Sequence, residues 1–287
     1  MPRLVVRHTT TYRYRRPVVF GPHRLMIRPR DGHDLRVVES ELTLSPPAVV
    51  RWTYDVFGNS IATAQFATPA ATLRVDSRLV LDRFPGSDSS REIDGAARTY
   101  PFSYSNDDST DLGALRMPQW SDPDRRLARW TADFVAGKPT DTLALLSDIS
   151  AGISTWVFYQ SREDEGTQTP LETLDRGWGS CRDLAVLLME AVRHLGFGAR
   201  IVSGYHAGRI PGLAVGTPGS THAWVEIFVP GPGWIAFDPT NRTVGDGELV
   251  PIARARSISQ VVPVAGSFTG VGSDFLGLDV AVTVRPD

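Results

Sequence analysis

Residues 177–195 read Gly177-Trp178-Gly179-Ser180-Cys181-Arg182-Asp183-Leu184-Ala185-Val186-Leu187-Leu188-Met189-Glu190-Ala191-Val192-Arg193-His194-Leu195. Leu184, Leu187, Leu188, Ala191 and Leu195 recur at intervals of three and four, the spacing of one helical face. The pattern predicts a helix that begins near Cys181 and stops at Gly196. Cys181 then sits in the first turn, where unpaired backbone N–H groups and the helix dipole favour a thiolate, the reactive form of cysteine. Gly177-Trp178-Gly179 lets the chain turn sharply into that helix and leaves room for a substrate carbonyl. A lone cysteine is otherwise most often a small buried hydrophobe.

Nucleophilic sulfur chemistry needs a base and a group that orients the base. Three strand-like runs follow the helix, at 200–205, 222–229 and 234–238. Alternation puts His222, Trp224, Glu226 and Phe228 on one face, and Trp234, Ala236 and Asp238 on one face. The turn Pro230-Gly231-Pro232 joins the two runs. Centring the hairpin on Pro230 pairs positions whose numbers sum to 460, which sets His222 opposite Asp238, and a slip of one residue would separate them. The alternatives are an ordinary histidine at 222 and, at 238, the Asp of an Asp-Pro turn.

An oxyanion needs donors, and the N–H of Cys181 at the helix start is the first candidate. Tyr159 and Gln160 are candidates for the second, with packing as the alternative for the tyrosine. Trp178 and Trp224 could wall a substrate groove, although aromatic residues here are more often core. Asp183 suits the first helical turn and could anchor a neighbouring loop, a structural task. Glu226 beside His222 raises a metal alternative, but no HxH or HExxH spacing supports it.

The rest of the chain frames this segment. From Leu4 to about Phe84 short alternating runs rich in Val, Thr, Tyr and Arg, broken by Pro and Gly, predict an antiparallel β-sandwich or barrel-like unit. Arg13, Arg15 and Arg16 fall within this alternation, so they read as a solvated strand face. Residues 85–118 shift to Ser, Asp, Gly and Pro and read as a linker or surface excursion. Ser121, as a cap before Asp122-Pro123-Asp124, predicts a helix through Leu127–Val135, and a second is expected over Asp141–Trp156. The tail 249–284 reads as β. The division expected is a β-rich unit over 1–85, a linker over 86–120 and a catalytic core with a β tail over 121–287.

Composition narrows the function. The chain has 287 residues, 41% hydrophobic and 22% charged, with a formal net charge of −2. That is a folded globular chain with no global field for nucleic acid or anionic lipid. One cysteine excludes an internal disulfide and a cysteine-based zinc site, which fits a reducing compartment. The apolar run Leu4–Val6 is far shorter than a signal-peptide core or membrane span, so a cytoplasmic location is expected, and Asn241-Arg242-Thr243 is a chance glycosylation match. No cofactor and no membrane partner are expected, and oligomeric state is open.

The blocks Gly177-Trp178-Gly179-Ser180-Cys181-Arg182-Asp183, residues 199–205 (ARIVSGY), His222-Ala223-Trp224-Val225-Glu226 and Gly233-Trp234 through Phe237-Asp238-Pro239-Thr240 resemble the transglutaminase-like superfamily. Residues 8–14 (HTTTYRY), 25–29 (LMIRP) and 55–59 (DVFGN) are similar to the N-terminal unit of its bacterial two-domain subgroup. The resemblance implies an α+β fold: an antiparallel β-sandwich-like domain, then a papain-like core of helices on an antiparallel sheet. It also implies that Cys181, His222 and Asp238 form a catalytic triad. Many relatives carry Gln where Arg182 stands, and residues 206–220 read as an individual Gly/Pro loop that borders the site and could gate it. The chemistry expected is a thioester at Cys181 formed from an amide or peptide, then attack by water or an amine, with hydrolysis favoured because water is the default acceptor. A catalytically idle binding module on the same fold is the alternative.

Overall fold

The computed structural model describes residues 3–84, 92–135, 137, 139–161, 166–207 and 221–287. The N-terminal part holds β1 (Arg3–Phe20), β2 (His23–Leu25), β3 (Leu35–Ser45), β4 (Ala48–Tyr54), β5 (Ser60–Phe66) and β6 (Ala70–Arg83). Alternation in β1 turns Leu4, Val6, His8 and Thr10 inward; Arg13, Arg15 and Arg16 are all exposed, Arg16 because the alternation is interrupted where the pairing with β6 shifts between Arg13 and Val18.

Next come β7 (Thr99–Tyr100), α1 (Asn106–Leu112), α2 (Arg126–Ala132), β8 (Thr140–Asp141), α3 (Thr142–Trp156), β9 (Phe158–Tyr159), α4 (Pro170–Arg176), β10 (Trp178–Gly179) and α5 (Cys181–His194). The chain then forms β11 (Ala199–His206), β12 (His222–Val229), β13 (Gly233–Asp238), β14 (Thr243–Val244), β15 (Leu249–Ala255), β16 (Val264–Ala265), β17 (Phe268–Thr269) and β18 (Phe275–Pro286).

Two N-terminal sheets, β17-β1-β6-β3 and β16-β2-β5-β4, face each other across Leu25, Ile27, Ala62, Ala64, Val75 and Val264. The core sheet runs β14-β13-β12-β11-β15 and is antiparallel throughout. Ala223, Val225 and Ile227 of β12 meet the apolar side of α5, and α3 adds Leu145, Leu146, Ile149 and Ile153. The two parts share a third cluster in which Leu4, Val6, Leu79 and Leu81 pack on Tyr205, Val250 and Ile252. The fold is therefore α+β, a β-sandwich joined to helices on an antiparallel sheet.

Three sequence expectations change. The tail divides: β15 stays in the core sheet, whereas β18 pairs with β1 from Leu4↔Pro286 to Tyr14↔Phe275. With β6 on one side only, β1 would expose a row of unpaired N–H and C=O groups, and the alternating residues of β18 satisfy them. The expected linker is also structured. Its polar stretch forms α1, capped when Ser105 Oγ accepts the Asp108 N–H at 3.0 Å. Tyr104 Oη donates to the Phe228 carbonyl at 2.8 Å and accepts the Gly198 N–H at 3.1 Å. The segment thus covers the core sheet. Finally, α2 is shorter than expected and its capping group is Asp122, not Ser121: the Asp122 carboxylate accepts N–H groups of Arg126 at 2.7 Å and Ala128 at 3.0 Å.

α5 also carries a buried ion pair. Glu190 and Arg193 meet at 2.8 Å with both side chains fully buried. Glu190 Oε2 accepts the N–H groups of Gln119 and Trp120, and Arg193 donates to the carbonyls of Leu115, Ala199 and Arg256. Every charged atom is matched, as burial demands.

Candidate active site

The site is built on the first turn of α5. Gly177 ends α4 in the left-handed region, at φ +67°, and the two residues that follow pair in parallel with β9, Trp178 with Phe158 and Gly179 with Tyr159. Ser180 caps α5. Its N–H and its Oγ both donate to Asp183 Oδ2 at 2.8 Å, while Asp183 Oδ1 accepts the Gln168 N–H at 2.7 Å. Asp183 is fully buried and ties the turn that carries Cys181 to the loop before α4, the anchoring task expected of it. Gly179 is required, because a Cβ there would stand 2.9 Å from Asp183 Cβ. Cys181 is left partly exposed at the helix start, where no carbonyl one turn earlier exists to take its N–H.

His222 opens β12 and Asp238 closes β13. His222 Nε2 and Asp238 Oδ2 are 2.6 Å apart, and the residues are 7% and 0% exposed. With Nε2 engaged, Nδ1 is the ring nitrogen left for Cys181, with which His222 shares a side-chain hydrogen bond. Burial pushes the Cys181 thiol up, but the His222 hydrogen bond and charge, the Ala223 backbone N–H and the Arg182 charge outweigh it and hold the thiol below its usual range. Burial pulls His222 down, and its bonds to Asp238 and Cys181 more than reverse this, so its ring is held protonated. Asp238 is pushed up by burial and brought below the usual carboxylate range by His222 and Asn241. These directions describe a thiolate–imidazolium pair backed by a carboxylate.

The hairpin register differs from the one expected. Observed partners sum to 462, from Val225↔Phe237 to Val229↔Gly233. The turn centres on Gly231, where φ is +100°, with Gly233 at +75°, so the left-handed backbone that glycine permits sets the centre. Asp238 is therefore diagonal to His222. A two-residue shift keeps both on one face and a carboxylate reaches a diagonal neighbour, so the contact survives.

The remaining candidates separate. Tyr159 is 44% exposed; burial raises its phenol and the Cys181 charge raises it further. Gln160 has an exposed side chain, and its backbone N–H is committed to the Gly179 carbonyl at 2.9 Å. Trp178 is half-buried, with Arg176 over its ring at 5.7 Å. Trp224 walls no groove. At 1% exposure it packs with Val202, Ala236 and Leu249, and its ring stacks on His222 at 5.9 Å between centroids. Glu226 gives its carboxylate to Arg200 at 2.7 Å and Arg254 at 3.0 Å, so its charge is balanced by two guanidinium groups and the metal alternative has no support from it. Of the loop 206–220, residues 208–220 lie outside the described residues.

Sequence reasoning missed three contributors. Ala223 donates through its backbone, which no side-chain pattern reveals. His206 meets His222 edge-on at 5.6 Å between centroids. Asn241, read only as part of a chance sequon, donates through Nδ2 to Asp238 Oδ2 at 2.7 Å.

Residues 128–239, which span Cys181, His222 and Asp238, match the family model described as transglutaminase-like superfamily. The core belongs to the transglutaminase-like superfamily. Residues 4–82 match the bacterial transglutaminase-like N-terminal region, so both parts of this transglutaminase-like chain have family counterparts. An uncharacterized protein of Mycobacterium leprae is 31% identical over 114 residues, 39% of this chain and 40% of that protein. The chain thus matches less than half of that relative's length. Among solved structures, a candidate cysteine protease from Cytophaga hutchinsonii superposes with a TM-score of 0.74 at 18% identity, covering 100% of this chain and 91% of that one. This likeness shows a shared fold across both parts. The periplasmic domain of TgpA from Pseudomonas aeruginosa aligns at a TM-score of 0.37 and 14% identity over 82% of this chain and 87% of that one.

Proposed function

We propose that the protein is a cysteine-dependent acyl-transfer enzyme that opens an amide bond of a peptide or protein through a thioester at Cys181. The observation that carries this reading is the buried 2.6 Å contact of His222 Nε2 with Asp238 Oδ2, together with the hydrogen bond His222 shares with Cys181.

The Cys181 thiolate attacks the amide carbonyl, and the carbonyl π electrons move onto oxygen. The N–H of Cys181 and the Tyr159 hydroxyl are the donors for that oxyanion. As the C–N bond breaks, the proton on His222 passes to the departing nitrogen, leaving a thioester and neutral imidazole. Water then gives a proton to His222 and adds to the thioester. Collapse expels the thiolate and releases a carboxylic acid, which restores the ion pair. Asp238 holds the ring and stabilises its cation without taking its proton.

Water as acceptor gives a peptidase or amidase, and an amine in its place gives cross-linking. Hydrolysis is preferred because water is the default acceptor and no amine-binding group stands out among the described residues. The exposed aromatics Trp156, Phe158 and Tyr159, at 64%, 78% and 44%, favour a substrate with apolar residues next to the cleaved bond. The single thiol, which must stay reduced to work, favours a reducing, cytoplasmic setting.

Labelling with a thiol-directed activity probe tests the proposal. Modification of Cys181 that disappears in His222→Ala is expected; equal labelling of both proteins would favour the idle binding module. Glutamine-containing peptides offered with and without an amine acceptor then separate hydrolysis from transfer.

A further inference from the structure

We propose that Asn241 is a positioning residue of the site, fixing the orientation of Asp238 through its side-chain amide; this rests on the triad reading above. Asp238 receives four donors. Oδ2 takes His222 Nε2 at 2.6 Å and Asn241 Nδ2 at 2.7 Å, and Oδ1 takes the backbone N–H groups of Thr240 at 2.9 Å and Asn241 at 3.3 Å. The two backbone bonds form the Asx turn that Asp-Pro sequences make, and any residue at 241 could supply its N–H to that turn. The Nδ2 bond is additional and lands on the oxygen that holds the imidazole.

The other end of the amide sharpens the assignment. Asn241 Oδ1 is buried and has no hydrogen-bond partner among the described residues, an arrangement that costs stability. The side chain's polar attachment is thus to the triad carboxylate. Turning the amide over would set Oδ1 against Oδ2, two acceptors with no proton between them, so Nδ2 faces Asp238.

The turn itself is held firmly. Ser154 Oγ donates to the Pro239 carbonyl at 2.6 Å, and Arg242 donates to the Ser154 carbonyl at 2.8 Å, which clamps residues 239–242 to the end of α3. Asn241 therefore acts from a fixed platform. Its NH2 group also lies 3.4 Å from His222 Nε2, so the amide and the imidazole share Oδ2 and leave the carboxylate one rotational setting.

The test reads iodoacetamide alkylation of Cys181 by intact mass across pH, in the full chain. In Asn241→Leu, which keeps the shape and loses the donor, alkylation at pH 6 is expected to fall about tenfold and to return to the wild-type rate at pH 9, where the thiolate no longer needs the pair. Recovery at pH 9 also reports that the variant is folded. In Asn241→Asp the isosteric carboxylate cannot donate while ionised, but once protonated beside Asp238 it donates to Oδ2 as the amide does. The ratio of its rate to that of wild type should therefore climb as pH falls, a signature that simple packing at 241 would not produce. Asn241→Leu within twofold of wild type at pH 6, or a pH-independent ratio for Asn241→Asp, overturns the proposal. A wild-type Cys181 that alkylates no faster at pH 6 than a free thiol removes the triad reading, and this proposal falls with it.

Discussion

His222 in the core and His8 in the N-terminal sheet are both buried, at 7% and 2% exposure, yet their environments drive them in opposite directions. Among the described residues His8 is hydrogen-bonded to two hydroxyls, with Nδ1 at 2.8 Å from Tyr205 Oη and Nε2 at 2.8 Å from Thr10 Oγ1. Burial lowers its pKa to about 4, opposed only by the charge of Asp76. Burial lowers His222 too, but a carboxylate and a thiolate face it and hold it protonated. Burial alone neutralises an imidazole; only a matched negative partner makes it the cation a thiolate needs.

Asp238→Asn is the strongest way to break this contrast. It turns the His222 environment toward that of His8 and removes the negative charge that stabilises the imidazolium. Turnover on a cleavable peptide should fall by about 10⁴-fold, as in other triads that lose the acid. A loss below tenfold would mean that Asp238 does not hold the base.

The His8 side is testable by stability. Its folded pKa lies below the unfolded value near 6.5, so between these values the unfolded chain binds the extra proton. The stabilisation is present above pH 6.5 and is lost as pH falls toward 4. A shift from 6.5 to about 4 corresponds to about 3 kcal/mol. Urea unfolding at pH 7 and pH 4 should show that His8→Gln loses less stability on acidification than wild type, by about that amount. Equal losses would show that His8 is not the titrating group. Tyr205→Phe should cost less, about 1–3 kcal/mol at pH 7, by leaving His8 Nδ1 buried without its hydroxyl. Calorimetry that finds no change would remove the hydroxyl from the account of His8.

Arg182→Gln should give the smallest effect. The charge at 182 is the weakest of the influences lowering the Cys181 thiol, so its removal should move the lower limb of the alkylation profile upward by a few tenths of a pH unit, about 0.5 kcal/mol. A shift of a full unit would move Arg182 from bystander to main support of the thiolate.

How much of this was legible in the sequence follows from where each interaction lies. The α5 start was readable because helical spacing and the glycine-rich approach are local. That His222 and Asp238 share a face was readable from alternation, while their register was not, because the left-handed backbone at Gly231 and Gly233 sets the turn centre. The pairing of β18 with β1 connects residues more than 260 positions apart, from Leu4 to Pro286, and period-two patterns do not name their partners. Trp224 read as a possible groove wall because alternation gives a face without saying what covers it. Ala223 acts through its backbone, and the Asn241 amide becomes meaningful only once the turn after Asp238 folds back on it.

The most direct measurement is the pH profile of Cys181 alkylation by iodoacetamide in wild type and in His222→Ala. With an imidazolium opposite the sulfur, the wild-type limb should lie well below the value near 8.5 of a free thiol, and His222→Ala should move it up to or beyond that value. Superimposable profiles with a limb near 8.5 in both proteins would contradict the thiolate–imidazolium pair.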